Sequence, residues 1–400
     1  MRVRLLVVDT PALSDPDFYV GDPDAAFTRM RSQCPVAWHE EGTFWGVTRH
    51  ADVSALSKDP ASFTSSKGVL IADRGRWISA ADSILYVDPP THVAQRQIVN
   101  KAFTARRVAA LEPEIRRIVV ELLDAVKDPG EPIDLVDLLA SPVPLLVIAH
   151  MLGVPGEDLA QFRTWSDAIA EAATNLTEDN ATKAMGLMVY FNAKLDAREA
   201  EPTEDLLSVL VAEKGGLTRQ EQLGFCMSLL VAGNETTRGL ISGGVLALAE
   251  HPDQRAALVA DPTLIPAAVE EMLRWVTPIT AMARTANAAC TVGGQDVEQD
   301  AYLVMLYASA NRDEEVFGPD AGTFDVTRSP NPHLAFGIGE HFCLGAQLAR
   351  LEGRIVFEEL LARFPAFEVL DGVVQLPSTL LRQWETVPLR LAQQSVSGPR

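Results

Sequence analysis

Cysteine is scarce in this chain: four residues in 400, at positions 34, 226, 290 and 343. None forms a C-x-x-C pair, and none is spaced with the seven histidines as metal ligands would be, which argues against a structural zinc site and against a disulfide framework. Cysteine left free in this way points to a reducing, cytoplasmic setting. Positive charge is also in deficit. With 34 Lys and Arg against 54 Asp and Glu the net charge is -20, which favours solubility and argues against nucleic acid as the main partner. The opening stretch, MRVRLLVVDT, has too short an apolar run before Asp9 for a signal-peptide core, so no export is expected. The one long apolar tract, Leu223 to Ala249, carries Glu235 and Arg238 near its middle, where a charge in lipid is costly. A buried helix of a large water-soluble domain is expected there, and no membrane partner.

What is present is mostly helical periodicity. After Thr104, a plausible N-cap, the residues Val108, Leu111, Ile115, Ile118, Val119, Leu122 and Leu123 recur at the spacing of one buried helix face. Further helical stretches cover roughly 136 to 152, 157 to 172, 178 to 198, 218 to 250, 263 to 275 and 344 to 364. Short strand-like runs, PVAWHE and FWGVTR, place a small sheet within about the first hundred residues, and brief strand signals recur between 286 and 310 and after 366. No repeat, low-complexity segment or linker interrupts the chain. The fold expected is mainly α with a minor β portion, as one domain over residues 1–400.

The most unusual stretch is FGIGEHFCLG, Phe336 to Gly345. Gly337, Gly339 and Gly345 flank Cys343, and glycine is favoured where the backbone needs a positive φ or must approach something bulky. The strongly helical AQLARLEGRIVFEELLARF follows, so Cys343 precedes a helix N-terminus, whose dipole favours a thiolate. Two uses of an anionic sulfur compete, a nucleophile or a metal ligand. His341 is near enough in sequence to serve as a base, but neither an orienting third group nor an oxyanion site is identifiable.

The pattern F-G-x-G-x-H-x-C-x-G resembles the haem-binding signature of cytochrome P450 enzymes of the soluble bacterial type. The resemblance implies haem b held by the Cys343 thiolate, which pushes electron density toward iron and favours O–O cleavage. It also implies that Phe336 shields the sulfur, that the backbone at Gly337 and Gly345 lies near it, and that His341 meets a haem propionate. AGNETT, Ala232 to Thr237, is similar to the family's distal motif. There Ala232 and Gly233 would lie against the haem, with Gly233 allowing close approach, and Glu235 and Thr236 would relay protons to oxygen. Taken alone, Thr236 also predicts a local kink, since its hydroxyl can bond the carbonyl at Ala232.

EEMLR is similar to the family's E-x-x-R helix; with Arg328 from FDVTR it implies a structural triad of Glu271, Arg274 and Arg328. DPPTHVAQR supplies His92 and Arg96 one helical turn apart, and these, Arg284 and His341 match the propionate-binding positions. The resemblance places a substrate-covering loop at Ser65 to Val87, with Val69, Leu70, Ile71, Trp77 and Ile78 as its apolar members. Phe225 and Leu229 share a helix face with Gly233, and Ile279, Thr280, Met282 and Thr379 to Leu381 match other pocket-lining stretches. The expected activity is monooxygenation of a hydrophobic small molecule by O2, a steroid, lipid, terpenoid or macrolide; a non-catalytic haem-binding carrier, sensor or recruitment protein is the alternative. The chain has no flavin motif and no cysteine spacing for an iron–sulfur cluster, so electrons must come from a ferredoxin and its reductase. Arg96, Lys101, Arg106 and Arg107, with Arg350 and Arg354, form the basic island expected to receive the ferredoxin.

Overall fold

The computed structural model describes residues 11–75, 83–172, 177–212 and 216–392. Its axis is the helix Arg219–Glu250, thirty-two residues long. A reciprocal cap starts it: the Glu221 N–H donates to Thr218 Oγ1 at 3.3 Å, and the Thr218 N–H donates to Glu221 Oε2 at 2.6 Å. Pro252, two residues past its end, opens the next helix, Pro252–Ala260. Leu240, Ile241, Val245 and Leu248 are buried against the helices Ile265–Val276 and Ala346–Arg363 and the edge of the C-terminal strands. Among the described residues no helix is long and apolar enough to cross a membrane.

The face predicted from Val108 to Leu123 is real, but two helices share it. They are Ala105–Ala110 and Glu112–Asp124, and they meet at Leu111 because Pro113 has no N–H with which to continue the ladder. Thr104 caps the first, accepting from the Arg107 N–H at 3.4 Å. Val108, Ile115, Ile118, Val119 and Leu123 are all buried on the same side.

The sheet is less confined to the first hundred residues than the sequence implies. The hairpin Val36–His39 and Phe44–Val47 is antiparallel, and its second strand pairs in parallel with Tyr302–Leu306. That strand pairs antiparallel with Ala281–Ala286, which carries Phe63–Thr64 on its other edge. The reason is burial. All five residues of Tyr302–Leu306 are buried, and such a strand must lie in the middle of a sheet with both backbone edges paired. A three-stranded sheet joins Ile133–Asp134 to Pro388–Ala392 and Ala366–Val369. The five-stranded sheet places Arg284 on an inner strand, while the long helix and the helix Ala346–Arg363 carry the other motifs toward it.

Candidate active site

The loop Phe336 to Gly345 closes on itself: the Cys343 N–H donates to the Phe336 carbonyl at 2.9 Å. Gly337 and Gly339 have φ of 65° and 79°, the left-handed region, and a Cβ on Gly339 would stand 2.3 Å from the Ser57 carbonyl oxygen. Gly345 serves differently. Its φ is -83°, and the Cys343 sulfur is what a Cβ there would face, at 4.0 Å. Burial pushes the Cys343 thiol up from its ordinary pKa, and the Gly345 N–H, Arg96 and Arg350 pull the other way without overcoming it. The helix N-terminus therefore does not make this sulfur anionic by itself, contrary to the expectation from sequence. A thiolate here calls for a further positive charge.

Phe336 is held in a stack. The Arg350 guanidinium lies 4.6 Å from its ring centroid, and the Phe342 ring meets it edge-on at 6.3 Å. Arg350 is fixed by two bonds to Glu270, 2.7 and 2.9 Å, and His333 lies 3.2 Å from the same carboxylate. Although burial opposes it, bonding from His333 and Arg350 holds the Glu270 carboxyl at about 2. Arg354 is likewise engaged, with Glu112 at 2.7 Å and Glu358 at 2.9 Å. Neither arginine is a spare cation, so both leave the basic island; Lys101, Arg106 and Arg107 remain exposed.

His92, Arg96, Arg284 and His341 come together as expected. The two imidazole rings are 4.1 Å apart at their centroids, although the residues are far apart in sequence. Arg96 Nη2 donates to the Phe342 carbonyl at 2.6 Å, and Arg284 Nη1 to the Ala283 carbonyl at 2.7 Å. His92 and Arg284 are only 2% and 5% exposed, and His92 Nδ1 has the Glu340 carboxylate as its partner at 3.6 Å, beyond ordinary hydrogen-bond length. Burial and then the positive charges of Arg284 and His92 drive His341 down to about 3. Burial followed by Arg96 lowers His92. Asp88, passed over in the sequence although it begins DPPTH, opposes the cluster from one side and is tied to the Ser65 N–H at 2.8 Å. Two arginines and two depressed imidazoles thus converge here, with the carboxylates of Asp88 and Glu340 at the edge of the cluster.

On the long helix, Thr236 Oγ1 donates to the Ala232 carbonyl at 2.7 Å, yet the backbone stays α-helical throughout, so the predicted kink does not open the turn. Ala232, with Val231, is exposed in the middle of this largely buried element. Glu235 is buried, with Arg238 Nη1 at 3.8 Å and Asn234 Nδ2 at 3.3 Å; burial raises its carboxyl pKa against the pull of Arg238. Gly233 does not serve as expected. A Cβ there would come within 2.7 Å of Ile148 Cδ1, so this glycine admits the helix Pro142–Met151 rather than a ligand.

Glu271 and Arg274 have no exposed surface and form two 2.7 Å bonds, with Arg328 Nε 3.4 Å from Glu271. The triad is as the sequence implies. One buried acid was not anticipated: Glu352, nine residues after Cys343, has one oxygen without a partner and is bonded to Thr237 through the other contact it makes, and burial pushes it up to about 8. Its position on the Leu348, Leu351 and Ile355 face of its helix was the available signal.

The pocket residues divide. Trp77 and Ile78 lie outside the described residues. Val69 has no exposed surface, and Ile71 packs against the cluster of Leu13, Tyr19 and Phe27, so neither lines a pocket; Leu70 is half-buried between them. Ile279 and Leu381 are bridged, and the Thr280 N–H donates to the Leu380 carbonyl at 2.8 Å, which joins two of the stretches expected to line the pocket. The Thr280 hydroxyl is used up in this, facing the Thr379 and Leu380 carbonyls at 3.2 and 3.1 Å, while Met282 and Ile279 pack on the sheet cluster. Leu229 is half-buried, and Phe225 borders a cavity of about 20 Å³ with Ser83, Ile84, Gln95, Val99, Leu217 and Glu221.

With this geometry in hand, comparison with known proteins is consistent throughout. Residues 162–381 match the family model described as Cytochrome P450. Cytochrome P450 130 of Mycobacterium tuberculosis is 38% identical over 362 residues, 88% of this chain and 89% of that protein. The vitamin D(3) 25-hydroxylase of Pseudonocardia autotrophica is 37% identical over 94% of this chain and 95% of its own. Among solved structures, CYP109E1 from Bacillus megaterium in complex with testosterone superposes with a TM-score of 0.84 at 35% identity, covering 92% of this chain and 99% of that one.

Proposed function

Because this chain belongs to the cytochrome P450 family of haem-thiolate monooxygenases, we propose that Cys343 supplies the thiolate, that His92, Arg96, Arg284 and His341 hold the propionates, and that the substrate is an apolar small molecule of steroid or lipid type. The observation that carries this reading is the convergence of two arginines and two imidazoles beside the Cys343 sulfur. Haem would bring two carboxylates to the cluster and a metal cation to the thiol: the arginines and the depressed His341 gain anionic partners, and His92 Nδ1, 3.6 Å from the Glu340 carboxylate, gains a hydrogen-bond acceptor. The relatives named for vitamin D(3) hydroxylation and for a testosterone complex support the substrate class.

When bound, haem supplies reductive activation of O2, with one oxygen atom entering the substrate and the other leaving as water. The chain's part is to hold the group, to exclude water and to deliver protons. Glu235 suits the delivery, because burial keeps its carboxyl protonated to higher pH than an ordinary glutamate. Thr236 is the next residue on the helix. At rest its hydroxyl is donated to the Ala232 carbonyl, and rotation about χ1 frees it to accept a proton from Glu235, through water, while passing its own forward. Thr236→Ala is expected to go on consuming NADH and O2 with a surrogate ferredoxin and reductase. Its product per NADH falls roughly tenfold or more and hydrogen peroxide rises, whereas Thr236→Ser keeps most of the coupling. Unchanged coupling in the alanine variant would move proton delivery elsewhere, with Glu352 and Thr237 the next candidates.

Electrons come from an external ferredoxin and its reductase in this reading. Arg106 and Arg107, on the exposed start of the helix Ala105–Ala110, are what an acidic carrier would meet. Arg107→Glu should raise the ferredoxin KM severalfold at low salt and leave the maximal rate nearly unchanged, and the difference should shrink as ionic strength rises. A salt-independent effect, or none, would place the carrier on another surface.

A further inference from the structure

One stripe of the long helix carries an unexplained polar group. At 100° per residue Glu221, Phe225, Ser228, Leu229, Ala232 and Thr236 share a face. The stripe is not sealed by protein, since Ala232 is exposed on it. Two of its polar groups are already engaged. Glu221 accepts from Gln95 Nε2 at 2.8 Å and from the Thr218 N–H at 2.6 Å, and the Thr236 hydroxyl is donated to the Ala232 carbonyl. Ser228 is the third. Its Oγ donates to Ser83 Oγ at 3.1 Å, and Ser83 Oγ also accepts from the Leu85 N–H at 3.3 Å. A hydroxyl has one proton and two acceptor positions. Both acceptor positions of Ser83 are therefore filled, and no acceptor among the described residues takes its O–H.

We propose that the Ser83–Ser228 pair is the polar end of the substrate pocket, with the Ser83 O–H donating to a neutral acceptor oxygen, a ketone for choice, at one end of an elongated, otherwise apolar substrate oxidised near its other end. This rests on the reading of an apolar substrate given above and extends it to shape and orientation. The span follows from the helix: Ser228 and Thr236 are eight residues apart, about 12 Å along the axis. That is the length of a fused-ring skeleton rather than of a single ring. Neutrality follows from Glu221. Its carboxylate is saturated by N–H donors and borders the same small cavity as Ser83, so a carboxylate end would meet like charge. Specificity follows from Ser83, because a half-buried donor left unmatched penalises a ligand that lacks the oxygen.

The test is spin-state titration of the holoenzyme with androst-4-en-3-one, which has one ketone, and with 5α-androstane, which has no oxygen. In the wild type both should shift the Soret band, the ketone more tightly. Ser83→Ala and Ser228→Ala should each weaken the ketone about tenfold and the hydrocarbon by less than twofold, and Ser228→Thr should restore ketone binding. With a surrogate reductase the wild type should oxidise the ketone at the ring remote from it, and Ser83→Ala should scatter the products. Equal weakening of both ligands would reduce the pair to packing and overturn the proposal, as would a ketone affinity indifferent to both substitutions. If neither steroid shifts the wild-type spectrum, the apolar-substrate reading fails and this inference with it.

Discussion

Cys343→Ala is expected to lose both the red-shifted Soret band of the reduced, carbon-monoxide-treated protein and all detectable substrate oxidation, while its far-ultraviolet circular dichroism stays that of the wild type. The argument runs through what else in the described structure could replace the sulfur. Among the described residues no three His, Cys, Asp or Glu side chains are grouped to hold a metal. The imidazoles of His92 and His341 meet each other, tilted by 39°, within the arginine cluster. Cys226 is fully buried in the long helix, and Cys34 and Cys290 belong to the region around the five-stranded sheet. The fold should tolerate the change, since Cys343 is bonded to Phe336 through its backbone and alanine keeps that bond. A red-shifted band surviving in the variant would assign the ligand to another residue. Loss of secondary structure together with the band would make the variant uninformative about ligation, and Cys343→Ser, which keeps the volume, then serves in its place, with loss of the band in a folded protein as the expected result.

What could be read from the sequence was whatever depends on residue type at short spacing. The loop around Cys343, the helix from about 218 and the E-x-x-R helix all fold by local rules, and their geometry follows their spelling. The burial face from Val108 to Leu123 was legible for the same reason, although the break at Pro113 that divides it between two helices was not read. What could not be read depends on which neighbour arrives. Gly233 looks as if it faces a ligand, because nothing in AGNETT discloses that Ile148 is packed there. Arg350 and Arg354 look like free cations until Glu270, Glu112 and Glu358 are brought beside them. Ile71 looks like part of a lid until the N-terminal cluster claims it. The pairing of Phe44–Val47 with Tyr302–Leu306 spans more than 250 residues, and a parallel partner at that separation leaves no local trace.

The triad gives the second large effect, because each of its members satisfies more than the other two. Glu271→Ala removes the acceptor for Arg274 Nε and Nη2, and also for the Asp325 N–H at 2.9 Å and Asn331 Nδ2 at 3.1 Å. Arg274 is left buried and without its counter-ion, a loss of about 3–5 kcal/mol in comparable cases. The urea midpoint should fall markedly, and the haem-to-protein absorbance ratio of the purified enzyme with it, because Asp325 and Asn331 belong to the segment that leads into the cysteine loop. A buried ion pair can often be replaced by apolar residues at little cost. Here that substitution should fail. Arg274 also donates to the carbonyls of Asn311 at 2.9 Å and Ala321 at 2.8 Å, and shares the Thr323 carbonyl with Arg328, so the Glu271→Met, Arg274→Leu double variant orphans two main-chain acceptors that no methionine or leucine can satisfy. The double variant is therefore expected to be no more stable than either single one. Recovery of the wild-type midpoint in the double variant would show that the pair matters only through its mutual charge, and that the loop from Ala321 to Asn331 is held by something other than Arg274.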